Sequence, residues 1–179
     1  LAQRKEALTE RLYELAQRPC QEDQWQRCHD LLSTWQALSP DQPENPLLTS
    51  AREQLASAAH RERQRQSQQL LRQAQTLHAD YESSNALEDL LALRHFIDTN
   101  NRQGALDSLA TETARLCVER FDSGLRRGEA FYAQGEYQQA LDSWLAIQPL
   151  FPNNSELEKK LARVYRVLDN LQRLGASES

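Results

Sequence analysis

Methionine does not occur in this chain, and breakers are scarce, with 5 glycines and 6 prolines in 179 residues. So few turn residues exclude a protein built from many short strands and tight hairpins. β-Branched residues are few and scattered, which removes the usual strand signal. Three cysteines are too few for a disulfide scaffold. No run of about 18 apolar residues exists, so no membrane span is expected. Basic charge does not dominate either: the net charge is −5, which argues against nucleic acid as a partner. Lysine is confined to Lys5, Lys159 and Lys160, and arginine carries the remaining positive charge, a bias that fits a GC-rich bacterial genome. With no Met and a start at Leu1, a processed or truncated product is expected, its targeting segment lost.

What is present is Ala, Leu, Gln, Glu and Arg, all good helix formers. The expected fold class is all-α. Chemistry-bearing residues do not gather. Histidines 29, 60, 78 and 95 form neither a HExxH pair nor a zinc-spaced Cys/His cluster. Gly124-x-x-x-Gly128 lacks the Lys-Ser/Thr of a phosphate loop. The expectation is a non-enzyme with no catalytic residues, no metal and no cofactor. Arg61, Arg63 and Arg65 read either as an anion-binding patch or, with Glu62 and glutamines between them, as a solvated helix face; Arg126 and Arg127 read the same way. Cys28 reads as a small buried residue or as a partner for Cys20, a bond that would imply an oxidising compartment. Cys117 reads as a buried thiol.

The most informative stretch is Phe121–Asn154. It predicts a helix ending near Gln134, a turn at Gly135-Glu136, and a second helix from about Tyr137 to Gln148 stopped by Pro149 and Pro152. Gly128 and Ala140 stand where the two helices cross; Phe131, Tyr137, Trp144, Ile147 and Leu150 fill the space around them. The spacing of Gly128, Phe131, Ala140, Trp144 and Pro152 resembles the tetratricopeptide repeat, a helix-turn-helix unit of roughly 34 residues. Gly124 and Arg127 depart from it, standing where the family favours Trp and Leu.

Laid on that template, two weaker copies emerge. In one, Ala74, Leu77, Ala86, Leu90, Leu93 and Phe96 fall under Gly128, Phe131, Ala140, Trp144, Ile147 and Leu150, with Thr99-Asn100-Asn101 as the break. In the other, Leu12, Leu15 and Ala16 line a first helix closed early by Pro19. Trp25, Cys28, Leu32, Trp35 and Leu38 line a second helix, ended by Pro40 and Pro43. The units span about 9–42, 67–100 and 121–154. Between them, residues from Asn45-Pro46 onward predict a helix that turns polar on all sides from His60 to Gln69, the alternative there being a mobile linker. The segment 102–120 predicts a helix running into the last unit. Asn153-Asn154-Ser155 offers an N-cap for a capping helix, 155–173, with Leu157, Leu161, Val164, Leu168 and Leu171 inward. Its outer face would carry Glu158, Lys159, Arg163, Arg166 and Arg173, and GASES at 175–179 would fray. The expected architecture is a single α-solenoid-like array over 1–179.

The resemblance implies a binding face on the first helix of each unit. That face comprises Tyr13 and Gln17; Gln68, Leu71, Gln75 and His78; and Asp122, Leu125, Glu129 and Tyr132. It is amide-rich and mildly acidic, suiting a polar or basic protein segment. The family's Lys/Arg/Asn carboxylate clamp is not reproduced there. The function this implies is a protein–protein interaction scaffold binding a protein or peptide, in a bacterial envelope or secretion assembly, with the periplasm favoured over the cytoplasm. The alternative is a self-associating module, a homo-oligomer paired through the long helix 46–80.

Overall fold

A computed structural model of the chain describes residues 2–177. Within them the chain is all-α: α1 (Ala2–Gln21), α2 (Trp25–Leu38), α3 (Pro46–Ser84), α4 (Leu87–Asn100), α5 (Asp107–Ala133), α6 (Tyr137–Ile147) and α7 (Ser155–Ser177), with a 3₁₀ turn at Gln148–Leu150. No strand occurs among the described residues. They form two compact units, residues 1–67 and 68–179; α3 contributes residues 46–67 to the first and 68–84 to the second.

In the first unit α1 and α2 form a hairpin with the start of α3 against it. Ala16, Cys20, Cys28, Leu32, Leu48 and Ala51 are its buried core. Cys20 and Cys28 are disulfide-bonded across the α1–α2 turn, so Cys28 is the bonded residue of the two readings above. Pro19 does not stop α1, which continues to Gln21. A proline removes one donor, the one the Leu15 carbonyl would have accepted from, and this close to the helix end only the last turn is affected. The turn continues through bonds from Glu22 N to Arg18 O and from Gln24 N to Pro19 O, and the Pro19 ring is buried. Leu15, expected inward, is 46% exposed.

Asn45 and Pro46 start α3 as the sequence indicates. Asn45 Oδ1 accepts from Leu47 N at 2.9 Å, and proline takes the first helical position, where no donor is needed. The polar stretch is helix and not linker. From Arg52 to Gln66 only Leu55 is even half-buried, and Glu62 pairs with Arg65 at 2.9 Å on that surface.

In the second unit α5 and α6 pack most closely. α5 runs unbroken from the segment 107–120 into the hairpin with α6, and Gly135, at φ +78°, makes the turn that a side chain would resist. Trp144 is fully buried against the bare backbone of Gly128, and its Nε1–H donates to Leu125 O at 3.2 Å. Gly124 admits Ile147 in the same way. Ala140, Leu141, Ile147, Leu150, Leu157, Leu161 and Val164 complete this core, with Tyr81, Leu90, Cys117 and Phe121. Burying each of the leucine, isoleucine, valine and phenylalanine side chains among them contributes about 1.5–3 kcal/mol. A second core gathers Ala74, Leu93, Ile97 and Leu106.

Three expectations are corrected here. Ala86 is not a crossing residue inside a helix: it is the N-cap of α4, in extended conformation, after Asn85 turns the chain at φ 51°. The residues buried on α4 are Leu90, Leu93 and Ile97, with Phe96 only half-buried. Leu171 is 50% exposed, because the 23 residues of α7 outrun the 11 of α6 on which they pack. Finally, α7 keeps Gly175 to Ser177 helical; the other two residues of GASES lie outside the described residues. α7 does start at its expected cap, with Asn154 Oδ1 accepting from Leu157 N at 3.0 Å.

Candidate functional site

The face implied by the resemblance falls into separate sets. Tyr13 and Gln17 belong to the first unit. Tyr13 is exposed on α1 with its ring 5.7 Å from that of Trp35, and Gln17 is half-buried. The rest belong to the second unit. On α3, Gln68 and Gln75 are exposed, while Leu71 is drawn into the packing around Ala74 and Leu93. His78 is half-buried, with Nδ1 3.7 Å from Glu82 Oε2; its Nε2 is buried without a hydrogen-bond partner.

On α5, the spacing 122, 125, 129 and 132 places one face along the helix. Asp122 is exposed, whereas Leu125 packs against the core and lends its carbonyl to Trp144. Glu129 and Tyr132 are brought together by residues of α7. Lys160 Nζ donates to Glu129 Oε2 at 2.9 Å, and Arg163 Nη2 to Oε1 at 3.1 Å. The guanidinium of Arg163 lies 4.0 Å from the centroid of the Tyr132 ring, and Lys160 Nζ lies 5.8 Å from that of Trp144. Tyr132 also meets Tyr137 edge-on at 5.1 Å. The bonds from Lys160 and then Arg163 hold the Glu129 carboxyl below its ordinary value, with partial burial opposing them.

Arg163 therefore does not belong to the outer face of α7, as expected, but bridges to α5. A long side chain can run its methylenes along a neighbour and set its charge over an aromatic ring. Lys160 and Arg163 went unread as site residues because nothing within α7 points to Glu129. The only signal available was their separation by three, which puts two cations on one helix face. The arrangement is a charged and aromatic surface, Glu129–Lys160–Arg163–Tyr132, fixed by contacts between two helices. No ionic or hydrogen-bonded contact joins the α3 set to the α5 set among the described residues.

Cys117, 2% exposed, has its thiol pushed up by burial, with Arg94 opposing. Such a thiol is a poor nucleophile. Arg94 itself donates to Leu150 O at 2.6 Å and to Pro149 O at 3.1 Å, closing carbonyls that the end of α6 leaves open. No described helix is long and apolar enough to cross a membrane.

No family model matches the chain, and no curated protein or solved structure is significantly similar to it.

Proposed function

We propose that this chain is a non-enzymatic interaction scaffold of tetratricopeptide-like hairpins, arranged as a solenoid-like array and binding a segment of a partner protein. The observation that carries the reading is the α5–α6 hairpin. A glycine on one helix takes the ring of a buried tryptophan from the next, a small residue four positions before that tryptophan, Ala140, is itself buried, and the turn is a left-handed glycine. The Glu129–Tyr132 surface, held rigid by Lys160 and Arg163, supplies fixed charge and aromatic area of the kind that anchors interfaces. The Cys20–Cys28 disulfide favours an oxidising compartment, hence the bacterial periplasm or envelope over the cytoplasm. Self-association through α3 finds less support, since Arg52–Gln66 carries no apolar stripe for a seam.

In-cell photo-crosslinking from Asp122 and Gln75, both exposed, tests the reading. A single defined protein adduct is expected from both positions, and the one from Gln75 should weaken on charge reversal at Asp122→Lys in a chain whose melting is unchanged. Adducts with no protein, or adducts indifferent to that reversal, would remove the binding face.

A further inference from the structure

A cleft of about 280 Å³ opens in the second unit between α5, α6 and the α3–α4 turn. Its polar lining consists of Asn85, Arg120, Ser123, Arg127 and Ser143, and no carboxylate is among the lining residues. That is unusual chemistry for a chain with 26 acidic and 21 basic residues. Arg120, Ser123, Gly124 and Arg127 follow one another at spacings of three, one and three, so a single face of α5 presents them.

The arginines differ in how they are held. Asn85 occupies the left-handed turn after α3 (φ 51°), a conformation asparagine tolerates, and its Oδ1 accepts from Arg120 Nη1 at 3.0 Å. Arg120 is thereby half-buried and oriented, with the other edge of its guanidinium unengaged among the described residues. Arg127 is exposed and makes no ion pair among the described residues. The Ser143 hydroxyl donates to Gln139 O at 2.8 Å, while that of Ser123 has no such bond. The cleft therefore offers two guanidinium groups and a hydroxyl, with no internal acid to satisfy them.

We infer that this cleft binds an acidic segment of a partner protein through at least two carboxylates. Arg120 and Arg127 stand seven residues apart, about 10 Å along the helix axis. One small anion engages such a pair less well than two carboxylates on neighbouring side chains of a single segment do. Guanidinium groups suit this because their forked N–H groups match a carboxylate, and an oriented one loses less freedom on binding. The inference deepens the scaffold reading, taking from it only that the ligand is part of a protein; the cleft is distinct from the Glu129–Tyr132 surface.

The test is a fluorescence-anisotropy titration of the whole chain with an acetylated, amidated hexaglutamate peptide. Saturable binding is expected, roughly tenfold weaker for Arg120→Gln and for Arg127→Gln. Arg126→Gln removes the same charge one residue away, outside the cleft, and is expected to bind as the parent does. Asn85→Asp keeps the turn but gives Arg120 a carboxylate of its own, so it should weaken binding without altering the circular dichroism. The inference is overturned if hexaglutamate does not bind, if Arg126→Gln weakens it as much as Arg127→Gln, or if free glutamate or inorganic phosphate at equal charge displaces it as well as unlabelled peptide. Because the peptide reads the cleft alone, a failed crosslinking experiment with successful titration would discard the Glu129–Tyr132 face and leave the cleft.

Discussion

Replacing Gly128 with alanine sets two effects of known sign against each other. Alanine is the better helix former, and in an exposed helix interior the change stabilises by about 1 kcal/mol. At Gly128 the new methyl would lie 2.2 Å from Trp144 Nε1 and 2.5 Å from Cδ1, far inside contact distance. Trp144 is fully buried, so its ring cannot swing into solvent. Overpacking of this kind costs about 1–3 kcal/mol. Displacing the indole also strains its bond to Leu125 O, worth about 1 kcal/mol. The net expectation is destabilisation by about 1–3 kcal/mol. Gly175 on α7 is the control: an added Cβ there meets nothing within 4 Å, so Gly175→Ala is expected to be neutral or mildly stabilising. Because the chain holds two compact units, hydrogen exchange read on α5 and α6 peptides is the suitable assay, since it localises the loss and needs no two-state assumption. If Gly128→Ala protects α5 and α6 as well as the parent does, the close-crossing explanation of the hairpin is wrong.

The Cys20–Cys28 bond closes a short loop, and the chain-entropy argument gives it roughly 2–3 kcal/mol; Cys20→Ser/Cys28→Ser should lower the calorimetric transition of the first unit and leave that of the second in place. Glu129 has a depressed folded-state pKa, so its ion pairs contribute above the ordinary carboxylate range and are lost as pH falls through the lower, folded value. Because Glu129 is 46% exposed at its side chain, the effect on α7 docking should be no more than about 1 kcal/mol and should shrink in high salt, as exchange rates in α7 near pH 3 and pH 6 would register. Sedimentation at rising concentration should find a monomer, because α3 exposes arginine and glutamine from residues 60 to 69; a dimer abolished by substitutions there would revive self-association.

The residues around Trp144 were legible because their arrangement is local. A turn glycine, two small crossing residues and an aromatic at fixed spacing lie within one hairpin, and proline marks its end. Caps were legible for the same reason: Asn45 and Asn154 each bond the backbone two or three residues ahead. Contacts at a distance in sequence left no such mark. Arg163 reaches Glu129 from 34 residues away, and Arg120 reaches Asn85 from 35. The spacing along α7 put Arg163 on its outer face, and nothing in the sequence around Arg120 marked it. Whether Cys28 was free or bonded was left open by the sequence, because the bond joins the end of α1 to α2 across the turn between them.

The displacement of Ala86 shows why α4 was hard to place from the sequence. Aligning it by its small residue set Ala86 under Ala140, the fourth residue of α6, whereas the fourth residue of α4 is Leu90. The slip is four residues, and four residues rotate a helix by about 400°, only some 40° from a full turn. Periodicity therefore survives the error: Leu90 and Leu93 face inward in either register, and only the far end discriminates, burying Ile97 where Phe96 was expected. Apolar spacing decides which face of a helix is buried, but it is nearly blind to a shift of one turn along the axis. What fixes the shift is a turn, and the signal present was Asn85, the residue best able to reverse the chain with a positive φ and no glycine nearby. A template hairpin anchored on its turn residue instead of its small residue would have placed the start of α4, and with it the asparagine that holds Arg120.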